Sequence, residues 1–369
     1  MTKKFTLPIV ILLMLLTGCT KQKDIPTIGI ILSLTENGAS YGNRSLNGIL
    51  IAQDELNSYD FFKNKKLELI IEDTKTNASA AVMAFEKLTK INHVPVVIGM
   101  VMSDEVLASA KLANNDRVVI LTPGAGSTEI TNAGPYIFRN RESAIVQADA
   151  IAKACIDMNK FNIAILYSHV ANGISYKNAF TKSLLQYNGN VVVEIGYKEG
   201  LNDYRAEIRK IIEAKPEAIY IAGMDREIGL ILKQATELKN DIQIFASAGA
   251  VTTKLLESVG KSAEGLISVS EAFDPTDDAV KDSYFVKTYT QKYGEEPEWV
   301  AANSYEAMML IGKLIEMGCK TGDDFKNTLD TIQFQSFSGI LSFDENGEVI
   351  KTSRLLKVEN GKFVKYSKE

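Results

Sequence analysis

The sequence predicts an α/β protein that contains two doubly wound parallel sheets covered by helices on both faces. The first observation is that short β-branched runs alternate with longer stretches of helical apolar spacing from Ile25 onward. The second is that this alternation stops near Arg139 and then starts again. The third is the length of 369 residues, which exceeds what one domain usually holds. Nearly continuous apolar strands joined by crossover helices are typical of buried parallel sheets.

The first unit has four strands, each a run of apolar residues that suits a strand buried on both faces. The intervening helices have apolar residues at intervals of three and four. Pro123-Gly124 closes the last strand. In order, we expect strand 27–32, helix 46–56, strand 67–71, helix 78–88, strand 94–98, helix 106–112 and strand 118–121.

The second unit repeats the same alternation, and a mainly helical tail follows it. Asn360-Gly361 between apolar runs is a strong hairpin signal. In the second unit we expect helices 144–158, 176–187, 204–212, 228–238 and 252–259, with strands 162–167, 191–195, 218–222, 242–246 and 266–269. In the tail we expect helices 279–293 and 300–317 and strands 340–343 and 354–358.

The N-terminus has the features of a secretion signal. Lys3 and Lys4 precede an apolar stretch over residues 5–16, which is too short for a helix to cross a bilayer core of about 30 Å. It ends in Leu16-Thr17-Gly18-Cys19, which resembles the bacterial lipobox and implies cleavage before Cys19 and lipidation of its sulfur. Residues 1–18 are then a lipoprotein signal peptide and 19–24 a tether. The alternative is an ordinary secretory signal.

Composition argues against several classes of site. The chain has 41 basic and 46 acidic side chains and no long basic run, so we expect no nucleic-acid partner. With only two histidines and three cysteines, a zinc site is not expected, and no motif indicates a cofactor. Cys155 and Cys319 lie in apolar helical patterns and should be buried free thiols, although an extracytoplasmic setting would also permit a disulfide.

The sequence nominates no catalytic group, and we expect no enzyme activity. Gly124-Ala125-Gly126-Ser127 imitates the start of a dinucleotide-binding fingerprint, but it lacks the third glycine and follows the fourth strand rather than the first. His169 follows a strand end, where it could contact a ligand or serve only as a loop residue.

The predicted strand ends carry small and polar groups instead. Ser103 follows the third strand and opens a helix, so it could cap that helix and help to bind an anion, or only cap it. Gly124 and Gly126 would let the backbone approach a ligand closely, or only turn the chain.

Several segments, in their order and spacing, resemble the type-I periplasmic binding proteins of ABC transporters, specifically the branched-chain amino-acid (Leu/Ile/Val) group. The resemblance implies two lobes joined by three crossover segments that close over a ligand like a Venus flytrap. It places one lobe at 25–142 plus 273–349 and the other at 143–272 plus 350–369. The segments that carry it are Ser40-Tyr41-Gly42, Leu121-Thr122-Pro123-Gly124-Ala125, Asp203-Tyr204, Ala263-Glu264-Gly265, Ala301-Ala302-Asn303-Ser304-Tyr305-Glu306-Ala307 and Phe343-Asp344-Glu345-Asn346-Gly347.

The resemblance also implies a ligand site, which this sequence matches in part. Tyr41 would pack on the ligand, Ser103 would bind its carboxylate, and the backbone of Gly124, Ala125 and Gly126 would clamp its polar groups. Amino-acid binders usually have a hydroxyl side chain at the position of Gly126, for which Ser127 is the nearest substitute. The remaining expected contacts are Asn172 and Met224, which fall near family tyrosines, and Met102 and Trp299 as apolar walls.

One expected anchor for an amino acid is missing. The acidic residue that pairs with the α-ammonium group falls near Gly249, and a buried cation without a partner is costly. The expected function is therefore that of a monomeric, lipid-anchored extracytoplasmic protein. It captures an amino-acid-like, amide or carboxylate-bearing solute in the interlobe cleft and delivers it to an ABC permease. The alternative is a ligand-sensing domain that signals to a membrane partner.

Overall fold

The computed structural model describes residues 25–239, 241–271, 273–337, 339–351 and 353–366. The predicted signal peptide, the lipidation site Cys19 and the tether lie outside these residues. Within the described part of the chain, no helix combines the length and the apolar character that crossing a membrane requires.

The first sheet has five parallel strands in the order β2-β1-β3-β4-β5. All of its strands except the edge strand β2 are buried along their length, which explains why they are continuous apolar runs. The elements are β1 (Ile28–Leu32), α1 (Ala39–Ser58), β2 (Leu69–Asp73), α2 (Ala78–Glu86), β3 (Val96–Gly99), α3 (Ser103–Asp116), β4 (Val119–Thr122) and β5 (Ile137–Arg139).

The second sheet repeats this architecture with five parallel strands in the order β10-β9-β8-β6-β7. Its elements are α4 (Ala144–Asp157), β6 (Asn162–Ser168), α5 (Ala171–Gln186), β7 (Asn190–Tyr197), α6 (Arg205–Glu213), β8 (Ala218–Ala222), α7 (Asp225–Glu237), β9 (Gln243–Ala246), α8 (Thr253–Val259) and β10 (Ile267–Glu271). The two sheets confirm the predicted fold class.

The tail contributes to both units. α9 (Tyr284–Tyr293) and α10 (Trp299–Glu316) share one hydrophobic core with β1, β3 and β4 of the first sheet. α11 (Gly322–Leu329) and the small pair β11 (Phe334–Ser336) and β12 (Gly339–Leu341) follow. The predicted hairpin is confirmed: β13 (Ser353–Glu359) and β14 (Lys362–Lys365) extend the second sheet from β10 by antiparallel pairing.

Several sequence predictions need correction. The helix expected over 46–56 begins at Ala39, and the helix expected over 176–187 begins at Ala171. The helix expected over 279–293 begins only at Tyr284, where the Ser283 hydroxyl accepts a hydrogen bond from the Val286 amide and caps it. The second strand is shifted to Leu69–Asp73. The short strand β5 was not predicted, because three residues are too few to show a period.

Candidate functional site

A cavity of about 40 Å³ lies between the two sheets, at the carboxyl ends of their strands. We call it the central cavity. Seven of the ten residues predicted to bind a ligand line it, which are Tyr41, Met102, Ser103, Gly124, Asn172, Met224 and Trp299. Four residues that were not predicted as ligand contacts complete the lining, which are Val101, Arg141, Gly223 and Gly249. Since a water molecule needs at least about 10–15 Å³, the cavity is closed tightly in this conformation.

Tyr41 links the two sides of the cavity. It lies in α1, only 5% exposed, and its hydroxyl donates a hydrogen bond of 2.9 Å to the carbonyl of Gly249, which follows β9 of the second sheet. The hydroxyl of Ser40 makes a second link, donating to Oδ2 of Asp225 at 3.2 Å. Burial raises the pKa of Tyr41 well above its ordinary value, so the phenol stays protonated and can donate this bond.

Ser103 faces the cavity, but it does not cap its helix as predicted. The cap position is Met102, whose side chain makes no capping bond, and Ser103 is the first residue of α3. The Ser103 oxygen instead accepts a hydrogen bond of 3.1 Å from the Ser127 amide. Within the described residues no acceptor takes its own hydroxyl hydrogen, which suits contact with an anion.

The glycine loop after β4 reaches the cavity only through Gly124. Ala125, Gly126 and Ser127 are not among the residues that line it. The Ser127 oxygen accepts from the amide of Glu129 at 3.2 Å and lies 2.8 Å from the Ser175 hydroxyl. Ser127 is therefore occupied inside the protein and does not supply a hydroxyl to the cavity in this conformation.

Arg141 is the lining residue that sequence reasoning missed. It follows β5 and is 4% exposed, and its guanidinium carbon lies 4.4 Å from the centre of the Trp299 ring. Nη2 donates to the Tyr176 hydroxyl at 2.8 Å, and Nη1 donates to the Gly124 carbonyl. The signal was present in Arg139-Asn140-Arg141, but it could be interpreted only with the short strand β5 in place.

Gly126 leaves the space that this arginine uses. A Cβ atom at Gly126 would lie 3.1 Å from Nη1 of Arg141 and 2.7 Å from Oδ1 of Asn172. Any side chain at this position would therefore displace one or both of these groups.

Position 249 also lacks room for a side chain, but there the obstacle is backbone. A Cβ atom there would lie 2.0 Å from the carbonyl oxygen of Gly223, which is backbone and cannot swing away. Ser247 holds the two loops together, since its oxygen accepts from the Gly223 amide and lies 3.2 Å from the Gly223 carbonyl. An acidic side chain cannot occupy position 249 unless this backbone moves.

Buried charges lie behind Arg141, where the chain passes between the sheets. Nε of Arg141 is 3.7 Å from Oε1 of Glu271, and Nζ of Lys351 is 2.7 Å from Oε2 of Glu306. Burial, and next the Glu271 charge, raises the pKa of Glu142 to about 8, although the Ser353 hydroxyl donates to this carboxyl group. We call these five charged residues the crossover charge cluster.

Arg139 supports the glycine loop from the same segment. It is fully buried, and its Nε donates to Oε2 of Glu348 at 2.9 Å. Its Nη1 donates to the carbonyls of Ser127 at 2.8 Å and Ala125 at 3.3 Å. Burial lowers the pKa of Arg139, with the Glu348 charge opposing this effect.

The other candidates of the sequence lie away from the cavity. His169 packs beside the Tyr167 ring at 5.6 Å and is not a lining residue. Cys155 and Cys319 are buried free thiols, as predicted. In the described part of the chain, no group of three or more histidine, cysteine or acidic side chains is arranged to hold a metal ion.

Comparison with known proteins agrees with this geometry. A family model described as periplasmic binding protein matches residues 26–362. The leucine-, isoleucine-, valine-, threonine- and alanine-binding protein of Pseudomonas aeruginosa is 26% identical over 332 residues, which are 88% of this chain and 87% of that protein.

Two solved structures share the fold. A leucine-binding protein of Thermotoga maritima has a TM-score of 0.85 and 27% identity, covering 93% of this chain and 98% of its own. A solute-binding protein of Rhodopseudomonas palustris BisB5, in complex with 3,4-dihydroxybenzoic acid, has a TM-score of 0.85 and 22% identity, covering 93% and 97%. The chain therefore belongs to the periplasmic binding protein family, in the type-I group of the branched-chain amino-acid binders.

Proposed function

We propose that this protein is an extracytoplasmic solute-binding lipoprotein that captures a small solute in the central cavity and delivers it to an ABC permease. The solute is an amino-acid-like molecule, an amide or a carboxylate-bearing molecule. The family binds solutes and is not an enzyme family, and its members with related sequences serve ABC transporters of branched-chain amino acids and related ligands.

The observation that carries this proposal is the origin of the cavity lining. Met102, Ser103 and Gly124 come from segments that follow strands of the first sheet, whereas Asn172, Met224 and Gly249 come from segments that follow strands of the second. A ligand held between them contacts both sides at once. It therefore stabilises the closed arrangement by its greater affinity for that state, which is the way a flytrap responds to a solute.

The closing contacts include several hydrogen bonds, which suits reversible capture. Tyr41 to Gly249, Ser40 to Asp225 and Ser127 to Ser175 are hydrogen bonds across the cleft. Each such bond contributes only about 0.5–1.5 kcal/mol net, so solute binding can decide whether the cleft stays closed. In this proposal the moving bodies are residues 25–142 plus 273–349 and residues 143–272 plus 350–369.

Isothermal titration of the mature protein against amino acids, small amides and aromatic carboxylates tests capture. We expect saturable binding of at least one solute, weakened by Ser103→Ala and unchanged by Ser258→Ala, a matched substitution outside the cavity lining. Absence of heat with every solute, together with no co-purified small molecule in native mass spectrometry, would contradict the proposal.

The lipid anchor is tested separately in cells. The unaltered protein should partition with membranes, and Cys19→Ser should release it, because several acyl chains anchor a protein stably at about 0.8 kcal/mol for each buried CH₂. A Cys19→Ser protein that still sediments with membranes would remove the anchor from the proposal without affecting solute capture.

A further inference from the structure

We infer that Arg141 is a ligand-contacting residue, and that the central cavity selects carboxylates that lack an α-ammonium group. Such solutes include 2-oxo acids, 2-hydroxy acids and simple or aromatic monocarboxylates. This inference rests on the proposed function, because it names the class of solute that the same cavity takes.

The charge of the lining is the first argument. Among the described residues that line the central cavity, Arg141 alone has a charged side chain. An α-amino acid brings a carboxylate and an ammonium group into the same small space. The guanidinium attracts the first and repels the second, and no carboxylate in the lining offsets that repulsion.

The acceptors that could hold an ammonium group are the second argument. The carbonyls of Gly124 and Gly249 already accept hydrogen bonds, from Arg141 and Tyr41 respectively. The Gly223 carbonyl accepts from the Ser247 hydroxyl. The amide oxygen of Asn172 is buried and makes no hydrogen bond to the described residues, but one neutral acceptor does not compensate a buried cation.

Gly249 and Gly126 together determine which charged side chains the lining can hold. Gly249 excludes an acidic side chain, because its Cβ would collide with the backbone at Gly223. Gly126 leaves open the space beside Nη1 of Arg141, 3.1 Å from where its Cβ would lie. Position 249 therefore offers no side chain that would neutralise an ammonium group, and the space beside Gly126 holds a side chain that attracts an anion.

Donors for a carboxylate are present. The Ser103 oxygen accepts from the Ser127 amide, and among the described residues no acceptor takes its hydroxyl hydrogen. Nε1 of Trp299 is buried and makes no hydrogen bond within the described residues, and Nε of Arg141 has only the 3.7 Å ion pair with Glu271. Hydrogen bonds from charged or well-placed donors to a carboxylate are about twice as strong as neutral ones.

The nearby acids do not outnumber the nearby cations. Glu271 lies 3.7 Å from Nε of Arg141, but the Lys351 charge also acts on this carboxylate. Glu142, whose pKa is raised to about 8, is mainly protonated at neutral pH. The crossover charge cluster then holds two cations and two carboxylates, so an incoming anion meets no excess of negative charge.

Size-matched pairs of solutes test the inference, because each pair differs at the α-carbon and not in its side chain. The pairs are alanine with pyruvate, leucine with 4-methyl-2-oxopentanoate, and phenylalanine with phenylpyruvate. Isothermal titration of the mature protein should show that, in the pair that fits best, the oxo acid binds at least about tenfold more tightly, or about 1.4 kcal/mol.

Substitution of Arg141 is the second arm. Arg141→Met should weaken binding of the oxo acid by about 10- to 150-fold, because it removes a charge-assisted contact. Arg141→Lys keeps the positive charge but lacks the paired N–H donors of the guanidinium group. This variant should bind the oxo acid more weakly than the unaltered protein and still prefer it to the amino acid. It replaces Arg141→Met in the experiment if the methionine variant does not fold. The matched control Arg205→Met, at a half-buried arginine outside the lining, should leave affinity unchanged.

The failures are distinguishable. If an amino acid binds as tightly as its oxo partner, or if folded Arg141→Met keeps full affinity, the inference is wrong and the proposed function stands. If none of these solutes, and no amide or aromatic acid, binds, then the proposed function fails and the inference fails with it.

Discussion

The two sides of the central cavity are built in different ways. The first-sheet side presents side chains, the Ser103 hydroxyl and the Arg141 guanidinium, which are supported from behind by buried ion pairs. The second-sheet side presents backbone at Gly223 and Gly249, together with the uncharged side chains of Asn172 and Met224. The difference teaches that one side can recognise the charged end of a solute while the other fits closely enough to close over it.

Removing Arg139, which supports the first side from behind, should have the largest effect on the free energy of unfolding. Arg139→Met leaves Glu348 without its buried partner and the carbonyls of Ala125 and Ser127 without their donor. Breaking a buried ion pair costs about 3–5 kcal/mol, so the free energy of unfolding in urea should fall by that amount. Arg205→Met, which removes a half-buried arginine from ion pairs with the solvated Asp203 and Glu237, should cost less than about 1 kcal/mol. Equal losses in the two variants would contradict this view of the first side.

The next largest effect should be the difference in stability loss when a methyl group is added on each side of the cavity. In Gly249→Ala the new atom lies 2.0 Å from the Gly223 carbonyl oxygen, so we expect a loss of about 1–3 kcal/mol in urea unfolding. In Gly126→Ala it meets the ends of Asn172 and Arg141, side chains that can move, so the loss in stability should be smaller. The reverse order would show that the second side is the more adaptable one.

The first side should contribute to the pH dependence of stability, in addition to Glu199 of the second unit, whose pKa burial raises to about 7. Burial raises the pKa of Glu142 from an ordinary 4.5 to about 8, so the folded protein keeps a proton that the unfolded chain releases. The resulting stabilisation is complete below about pH 4.5 and is lost as the pH rises to about 8, with a slope of at most about 1.4 kcal/mol per pH unit. Urea midpoints measured from pH 5 to 9 should therefore fall, and Glu142→Gln should flatten that fall.

The matched control for this measurement is Glu257→Gln, which changes an exposed glutamate. It should keep the slope of the unaltered protein. If the urea midpoint of Glu142→Gln changes with pH as steeply as that of this control, Glu142 does not contribute to the pH dependence.

The smallest effect should come from removing the Tyr41–Gly249 hydrogen bond, which is one of the bonds that join the two sides. Tyr41→Phe keeps the ring near Trp299 and removes the hydroxyl that donates to Gly249. The closed state should lose about 0.5–1.5 kcal/mol, which small-angle scattering of the solute-free protein would detect as a larger radius of gyration. Tyr284→Phe, at an exposed tyrosine, should leave the radius unchanged.

The sequence predicted the sheets well because their strands are buried on both faces, and such strands are unbroken apolar runs. It predicted the start of α9 poorly, because residues 279–283 have apolar spacing without forming a helix. Seven cavity residues followed from strand ends and family resemblance. Arg141 did not, because its position depends on a three-residue strand and on the space left by Gly126, and neither shows in a periodic pattern.

The position of Trp299 has a practical consequence. It is the only tryptophan of the chain, is 4% exposed and lies under the Arg141 guanidinium. The intrinsic indole fluorescence of the protein therefore originates at the wall of the central cavity. A solute that draws the guanidinium away from the ring, or an opening that admits water to it, changes the only tryptophan signal that the protein emits, so capture can be followed without a label.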